Sequence, residues 1–421
     1  MACSVPNRRN RHSLDQAIAG WTNCLAQEVD EMNVVRQDAP TVPPTYAHLL
    51  RAARRLFQPD ELERLVPRLR GGPRLSEVNG QGAAALNPIA ATETIAYDFL
   101  TKGGKYSRPF ITLAAYDALT GGHCTRPDGA QQAVSQLATS VRRAAISIES
   151  FHKASLVHDD IQDGDAFRYG QPTVHVEHGV PTAINVGDYL IGLGYRVVSE
   201  DISQFGADVA ADLLNKLADA HTKLSEGQGA ELVWRDSRDK RLTPAEALRI
   251  YALKTAPAFE AALYCGLRLA GPAGQYAATV AELAKHVGIA FQILNDLQDW
   301  RGDDFNKLTL GGDVLGGRPT VLWALALEGL ADEDRRQLEQ LVAEGEATPA
   351  VFARIRRLFH RAGAFEEALR LVGEHRSEAE RMADKLAPDA LRSLAHYLIH
   401  TILEPPVASA PSRRPLAVPA R

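Results

Sequence analysis

The sequence predicts an all-α protein, and three observations support that fold class. Apolar residues between about 85 and 403 recur at helical spacing, with little of the alternation that is typical of strands. The chain has 421 residues, of which 45% are hydrophobic and 24% charged, so it can bury a large core. No internal repeat of roughly 20 to 50 residues is found, which favours a compact helical bundle over a solenoid. One stripe at helical spacing consists of Val134, Leu137, Val141, Ala144, Ile148 and Phe151.

Three zones follow one another along the chain. Residues 1–75 are predicted to form an appended helical region, partly flexible, with a proline-containing break at 39–44. Residues 76–403 are predicted to form an all-α catalytic domain. Residues 404–421 are rich in Pro, Ala and Ser, a composition that does not support a packed element, so we expect a disordered tail.

Charge and cysteine content narrow the class of protein. The formal net charge of -5 argues against general nucleic-acid binding. No apolar run reaches the roughly 18 residues of a membrane span, and the N-terminus lacks the apolar region of a signal peptide. These features predict a soluble protein in the reducing cytoplasm. Neither a metal site nor a disulfide framework is indicated by the spacing of Cys3, Cys24, Cys124 and Cys265.

An acidic segment, Asp159-Asp160-Ile161-Gln162-Asp163, lies within one predicted helix. Residues four apart stand on one helical face, so Asp159 and Asp163 stack and Asp160 flanks them. Hard cations such as Mg²⁺ prefer oxygen ligands and fill their other positions with water and phosphate oxygens. The segment is therefore a candidate magnesium-diphosphate site.

A second segment, Asn295-Asp296-Leu297-Gln298-Asp299, repeats the pattern far along the chain. Either segment alone would most simply be a solvated helix face. Their joint occurrence with cationic motifs favours one site in which both face a single cavity. The candidate metal ligands are Asp159, Asp160, Asp163, Asn295, Asp296 and Asp299.

Two groups beside the first segment are expected to face the same cavity. His152 lies about two turns before Asp159 on the same helical face. Arg168 precedes the turn Gly170-Gln171-Pro172-Thr173, which would fold the guanidinium back toward the acidic end as a phosphate ligand. His152 alone would more often be a hydrogen-bonded structural histidine, so its assignment depends on this context.

A further cationic motif lies upstream, in Gly103-Gly104-Lys105-Tyr106-Ser107-Arg108-Pro109. It places two cations beside a flexible pair of glycines at a helix start, which suits a second anionic substrate. Arg108 alone could be a surface cation with a packed stem, and the glycines could be only a helix boundary.

Together, these motifs resemble the trans-polyprenyl (isoprenyl) diphosphate synthases in order and spacing, over roughly residues 86 to 403. That resemblance implies a helical bundle around a deep central cavity, with the two acidic segments facing each other across its mouth. It also implies a Mg²⁺-dependent enzyme with about three ions bound alongside the substrate diphosphate, working as a homodimer on prenyl diphosphates. The motifs are Gly103-Gly104-Lys105, Arg108-Pro109, His158 to Asp163, Arg168, Gly170 to Thr173, Glu226-Gly227-Gln228, Lys254-Thr255, and Phe291-Gln292 before the second segment.

The same resemblance assigns roles to single residues. Arg168, Lys254, Gln292 and Arg318 would contact the allylic diphosphate, with Arg318 standing where the family often has Lys. Gly104, Lys105, Arg108 and His152 would form the pocket for isopentenyl diphosphate. Thr255 and Gln292 are positioning candidates, and the sequence identifies no unique protein base. The expected reaction condenses an allylic diphosphate with isopentenyl diphosphate.

The size of the product is predicted from the floor of the cavity. Ala154, five residues before Asp159, is small where some family members that make short products place an aromatic ring. A product of C20 or longer is therefore expected. Phe151, eight residues before Asp159, could close the cavity one turn lower.

Two departures from the family pattern keep other functions open. Tyr169 replaces the second Arg of an Arg-Arg-Gly run, and Asn295 replaces an Asp in the second segment. Both fit a class I terpene synthase, which ionises and cyclises one prenyl diphosphate, and Trp234 or Trp300 could then stabilise cations. A non-catalytic partner subunit of a prenyl synthase is a third interpretation. Retention of Lys105, Arg108 and His152 favours prenyl transfer over cyclisation.

Overall fold

The protein is described by a computed structural model that covers residues 46–77, 87–126, 130–300, 312–345 and 348–403. The first 45 residues of the predicted appended region, which include the proline-containing break, and the C-terminal tail lie outside these residues. The prediction of an all-α fold is confirmed, since the described strands form only one short antiparallel pair, Phe167–Arg168 with Gln171–Pro172.

The first half of the described chain runs through ten helices. In order they are α1 (Tyr46–Arg55), α2 (Pro59–Leu65), α3 (Pro88–Thr101), α4 (Ser107–Leu119), α5 (Ala130–Ser135), α6 (Thr139–Asp163), α7 (Val174–His178), α8 (Val180–Glu200), α9 (Ile202–Phe205) and α10 (Ala207–Asp236). Short 3₁₀ turns occur at Leu75–Glu77 and His123–Thr125.

The second half continues with α11 (Pro244–Ala270), α12 (Gly274–Asp299), α13 (Gly312–Leu315), α14 (Val321–Gly329), α15 (Asp332–Glu344), α16 (Pro349–Arg361), α17 (Ala364–Ala383) and α18 (Asp389–Leu403). Local sequence sets several of these boundaries. Helix α11 begins with a capping box, in which the Thr243 hydroxyl accepts from the Glu246 amide and the Glu246 carboxylate accepts from the Thr243 amide. Helix α6 ends because Gly164 takes a left-handed conformation (φ 67°).

Two clusters of buried side chains hold the helices together. The larger cluster lies among α3, α4, α6, α8, α10, α11 and α12, while the smaller one joins α11 and α12 to α14–α17. Leu49, Phe57 and Leu62 of the predicted appended region are buried in the larger cluster. Each such apolar side chain contributes about 1.5–3 kcal/mol by leaving water.

Helix α12 is long and apolar enough to cross a bilayer by length and composition alone. Among the described helices it is the one that meets this criterion. It packs against α11 and α17, and Ala284, Ala290 and Ile293 on it are buried. A core helix of a soluble protein has the same composition, so this is weak support for a membrane span.

Candidate active site

A cavity of about 280 Å³ lies among helices α6, α8, α10 and α11. Polar groups enter it from α6 and α11, where His152, Asp159 and Lys254 line the wall. Ala154 and Phe151 both line it too, on the side away from Asp159. The remaining apolar lining includes Ile148, Ile191, Leu217, Ala220, Leu232 and Ala261. The cavity is therefore lined by both charged and apolar side chains.

The first acidic segment occupies the last turn of α6. The Asp159 carboxylate lines the cavity. Burial raises the pKa of Asp159 to about 6, the charges of Asp163 and Glu231 act in the same direction, and Lys254 opposes them. A metal ion or another cation nearby would lower this pKa and so favour the ionised form of the Asp159 carboxylate.

The predicted fold-back of Arg168 occurs through a tight hairpin. Tyr169 (φ 55°) and Gly170 (φ 75°) both take left-handed conformations between the two short strands. Arg168 Nε donates to Asp160 Oδ1 at 2.8 Å, and its terminal nitrogen donates to the same oxygen. Burial raises the pKa of Asp160, and Arg168 acts against that rise. Asp160 thus anchors the hairpin, and its other oxygen, Oδ2, is buried with no hydrogen-bond partner among the described residues.

Asp163 lies beside two arginines, Arg318 and Arg235. Its carboxylate is 2.8 Å from an Arg318 guanidinium nitrogen and 3.4 Å from Arg235 Nη1. Arg318 also contacts Asp313 at 3.1 Å. The structure therefore brings the predicted substrate residues Arg168 and Arg318 to the same end of α6, one beside Asp160 and one beside Asp163.

Lys254 projects from α11 toward Asp159 and is paired with a carboxylate on α10. Its Nζ lies 2.5 Å from Glu231 Oε2. This pairing depends on Gly227, where a Cβ would come within 2.8 Å of the Lys254 backbone nitrogen. Only a glycine lets the two helices approach this closely, and Glu231 follows one turn later on the same face. Thr255 is buried beside Lys254.

The second acidic segment is held differently. Asp296 accepts hydrogen bonds from the Tyr251 hydroxyl and from the Val321 amide, the latter at 3.2 Å. Asp299 accepts from the Asp313 amide at 3.1 Å. Both carboxylates are buried, Asp296 between α11 and the start of α14, and Asp299 against α13. Asn295 is exposed and donates to Gln292 Oε1 at 3.0 Å.

The two acidic segments are linked through Arg318, which contacts both Asp163 and Asp313, while the Asp313 amide donates to Asp299. Within the described ranges, no three His, Cys, Asp or Glu side chains are placed to hold one metal ion. Magnesium does not require three, because it usually takes one or two carboxylates and completes its shell with water and phosphate oxygens. The Asp159 carboxylate in the cavity and the unpartnered Oδ2 of Asp160 fit that donor set, so the first segment suits the ion.

The predicted second anion pocket lies around the start of α4. Arg108 stacks over Phe259 at 5.3 Å, and burial lowers its pKa. Burial also holds the pKa of His152 well below its usual range, as do the charges of Arg108 and Lys153, so the imidazole is neutral. Gly104 has a φ of 122°, and Lys105 after it is exposed. Of these four predicted residues, Arg108 and His152 line the cavity together.

The charged residues at this site that sequence reasoning missed include Glu149, Lys153 and Glu231, besides Arg235 and Asp313 near the end of α6. Glu149 is one turn before His152–Lys153 on α6, and both Glu149 and Lys153 are buried. Their spacing of four with opposite charge was a usable signal. Glu231 could have been found as the acid one turn after Gly227 on the same helical face.

The two tryptophans considered for cation stabilisation do not line the cavity. Trp300 is buried against Phe359 and Phe365, with ring centroids 5.1 and 6.0 Å away. Trp234 stacks on Lys240 at 4.9 Å. Both are packing residues here.

Comparison with known proteins agrees with this geometry. The family model for polyprenyl synthetase matches residues 90–359. A short chain isoprenyl diphosphate synthase of Methanothermobacter thermautotrophicus is 30% identical over 305 residues, which cover 71% of this chain and 87% of that protein. A geranylgeranyl diphosphate synthase of Saccharolobus solfataricus is 26% identical over 314 residues, covering 73% and 89%.

Solved structures show the same fold. A geranylgeranyl pyrophosphate synthetase from Pyrococcus horikoshii superposes with a TM-score of 0.68 at 24% identity, covering 86% of this chain and 98% of that one. A geranylgeranyl pyrophosphate synthase from Corynebacterium glutamicum, in complex with isoprenyl diphosphate and magnesium, gives 0.67 at 22% identity, covering 87% and 100%. This chain belongs to the polyprenyl synthetase family, whose members are prenyl transferases.

Proposed function

We propose that this enzyme condenses an allylic diphosphate with isopentenyl diphosphate to give a prenyl diphosphate of C20 or longer. The observation that carries the proposal is that two cationic regions flank one largely apolar cavity. One region, with Lys254, Arg168 and Arg318, surrounds the end of α6. The other, with Arg108 and Lys153, lies beneath the Gly103–Gly104 turn. Two separate diphosphate groups can therefore be held at one cavity.

The chemistry requires this arrangement. The allylic C–O bond breaks with its electron pair leaving on the diphosphate. The double bond of isopentenyl diphosphate then attacks the allylic cation, and the carbocation that results gives a proton to the released diphosphate. Lys254, Arg168 and Arg318 would bind and orient the leaving diphosphate. Asp159 and Asp160 would hold Mg²⁺, which supplies Lewis-acid neutralisation of the leaving group when bound. The apolar wall excludes water that would otherwise capture the cation.

Product length follows from the relatives and from the cavity. Similar proteins include a geranylgeranyl diphosphate synthase of Sulfolobus acidocaldarius, which is 30% identical, and a geranylfarnesyl diphosphate synthase of Aeropyrum pernix, which is 31% identical. Ala154 leaves the upper cavity open, and Phe151 packs at its floor against Tyr195 on α8 with ring centroids 4.8 Å apart. This is consistent with a product of at least C20.

The setting of the enzyme belongs to the same proposal. We place it in the cytoplasm as a homodimer with about three Mg²⁺ ions per active site. Val180 and Ile184, one turn apart on α8, are exposed, which suits a subunit contact. Light scattering of the purified chain tests the homodimer. Twice the mass of one protomer would support it, and the mass of one protomer would contradict it.

A product assay tests the reaction. The full chain with Mg²⁺ is given C10, C15 or C20 allylic diphosphates, each with and without isopentenyl diphosphate, and diphosphates and volatile hydrocarbons are both analysed. Longer diphosphates that form only with isopentenyl diphosphate support the proposal. Hydrocarbons or alcohols from one allylic diphosphate alone would indicate a terpene synthase, and no turnover would indicate a partner subunit.

A further inference from the structure

Lys153 on α6 is a fully buried lysine at the second anion pocket, with 0% of its surface exposed. Its Nζ donates to the backbone carbonyl oxygens of Lys102 at 2.5 Å and of Gly103 at 2.8 Å. An ammonium group has three N–H donors, so these bonds use two of them. The lysine therefore holds the turn before α4 from below with two of its three donors.

Aromatic rings cover the rest of the Lys153 ammonium. Its Nζ lies 4.6 Å from the ring centroid of Tyr169, 5.0 Å from Phe99 and 5.8 Å from Tyr106. Ring faces stabilise a cation without neutralising it. The rings therefore offset part of the cost of burying this charge, and the low dielectric makes a charge here act more strongly than a surface charge.

Tyr169 shares this position at the turn. A Cβ on Gly103 would come within 2.6 Å of Tyr169 Cγ. A Cβ on Gly104 would lie 3.5 Å from Tyr169 Oη and 3.8 Å from Lys153 Nζ. Side chains at positions 153 and 169 therefore reach the same place beneath Gly104, one from helix α6 and one from the hairpin.

The surrounding charges indicate a pocket built for an anion. Arg108 and Glu149 are both buried, and Arg108 Nε and Glu149 Oε2 have no hydrogen-bond partner among the described residues. A buried donor without a partner is costly, so Arg108 Nε points to a missing acceptor, whereas the Glu149 oxygen is itself an acceptor that an anion would not satisfy. Arg108 and Lys153 outnumber the one carboxylate, which favours an anionic ligand such as a diphosphate.

We infer that Lys153 determines the affinity of the second pocket for the diphosphate of isopentenyl diphosphate, supplying from α6 the positive charge that Tyr169 does not carry. The inference rests on the proposed function. Lys153 acts as a positioning residue, because its bonds to the turn orient Gly103–Gly104 and its charge attracts the diphosphate. Tyr169 covers this charge and shields it from water.

Steady-state kinetics of Lys153→Met test the inference. We expect the KM for isopentenyl diphosphate to rise at least about tenfold, while the KM for the allylic diphosphate and kcat change less than about threefold. Lys285→Met, which removes an exposed lysine paired with Glu282, is the matched control and should alter neither KM. Equal rises in both KM values would overturn the inference, because they would show that Lys153 only supports the structure.

Rescue distinguishes charge from packing. Since side chains 153 and 169 reach the same place, adding Tyr169→Arg to Lys153→Met should return the KM for isopentenyl diphosphate to within about threefold of wild type. Failure of this rescue in a folded double variant would contradict the inference.

A second pair of variants does not depend on Lys153→Met folding. Tyr169→Arg and Tyr169→Glu place opposite charges at the same partly exposed position with the same backbone conformation. The glutamate variant should have a KM for isopentenyl diphosphate at least about tenfold above that of the arginine variant. Equal values would overturn the inference. If the wild-type chain elongated no substrate at all, the proposed function would fail first, before Lys153 was tested.

Discussion

Arg168 and Asp160 form a buried ion pair, with Nε to Oδ1 at 2.8 Å, that turns Asp160 toward the hairpin while its neighbour Asp159 lines the cavity. Two adjacent carboxylates of one acidic segment therefore have different surroundings. The Asp160 side chain is 1% exposed and supports the loop that carries Arg168 and Tyr169. Asp159 lines the cavity, where we propose that a diphosphate and its metal bind.

Substitution of these two carboxylates should give different results. Asp159→Ala should lower kcat by at least about 10²-fold, as expected for the loss of a group that helps to stabilise the leaving charge, with little change in melting temperature. Asp160→Ala should lower activity and also cost about 1–3 kcal/mol of stability, because Arg168 is left without its buried partner. Thermal unfolding and turnover are measured on both variants.

Asp219→Ala serves as the control for this comparison, since Asp219 pairs with Lys223 on the surface of α10. It should change stability by less than about 1 kcal/mol and leave turnover as in wild type. Wild-type turnover in Asp159→Ala would refute the assignment of the first acidic segment.

Gly227→Ala should damage both stability and turnover. The new methyl group would meet the backbone nitrogen of Lys254 at 2.8 Å, so α10 and α11 must separate and the Lys254–Glu231 pair must shift. Overpacking of this kind costs about 1–3 kcal/mol. Chemical denaturation and the KM for the allylic diphosphate report the two effects, and that KM should rise.

The matched control for this variant is Gly373→Ala. Gly373 lies inside α17, and a Cβ there meets nothing within 4 Å. This substitution should stabilise the protein by roughly 0.5–1 kcal/mol because alanine favours helix. Equal effects of the two substitutions would show that the close approach at Gly227 is unimportant.

Shortening Phe151 should lengthen the product. Its ring lines the floor of the cavity and is packed against Tyr195 and His221, with centroids 4.8 and 5.8 Å away. Phe151→Ala removes that floor, and chromatography of the dephosphorylated products should show at least one additional C5 unit. Phe359→Leu, in the separate cluster around α14–α17, should lower stability without changing chain length. An unchanged product from a folded Phe151→Ala enzyme would place the floor elsewhere.

Affinity for isopentenyl diphosphate should depend on pH through Lys153. Burial lowers the pKa of Lys153 from 10.5 to about 8, while Glu149 opposes the shift and Arg168 adds to it. As the pH rises through this lowered pKa, the ammonium loses its proton and its charge, so the KM for isopentenyl diphosphate should rise. Other charged or titratable groups that face it are those of Arg108, Tyr106 and Tyr169.

Lys153→Arg provides the comparison for this pH profile. Arginine keeps its proton throughout the accessible range, so the rise in KM at alkaline pH should disappear. The same alkaline rise in wild type and variant would assign the titration to another group.

The helical fold and much of the site could be predicted from the sequence because helical periodicity and fixed spacings are local properties. The spacing of seven between His152 and Asp159 set both on one helical face, and both line the cavity. The hairpin that returns Arg168 was visible in its turn residues, although the partner Asp160 was not. Such a partner is chosen by distance in three dimensions, which spacing does not reveal.

Other parts of the site depend on contacts between distant segments. The sequence placed Asp296 in the second acidic segment but did not reveal that its carboxylate accepts hydrogen bonds from Tyr251 and Val321, which lie on other helices. The Lys254–Glu231 pair arises from a close helix crossing at Gly227, and the Lys153 environment from a turn fifty residues earlier in the chain. No local sequence pattern predicts these contacts between distant segments.

The most direct test of the central claim is the stoichiometry of the reaction. The purified full chain is given Mg²⁺, a C15 allylic diphosphate and labelled isopentenyl diphosphate, and both incorporated label and released inorganic diphosphate are counted. Joining of two diphosphate substrates predicts one diphosphate released for each isopentenyl unit incorporated, and no release when isopentenyl diphosphate is omitted. Release of diphosphate at full rate without incorporated label would contradict the account.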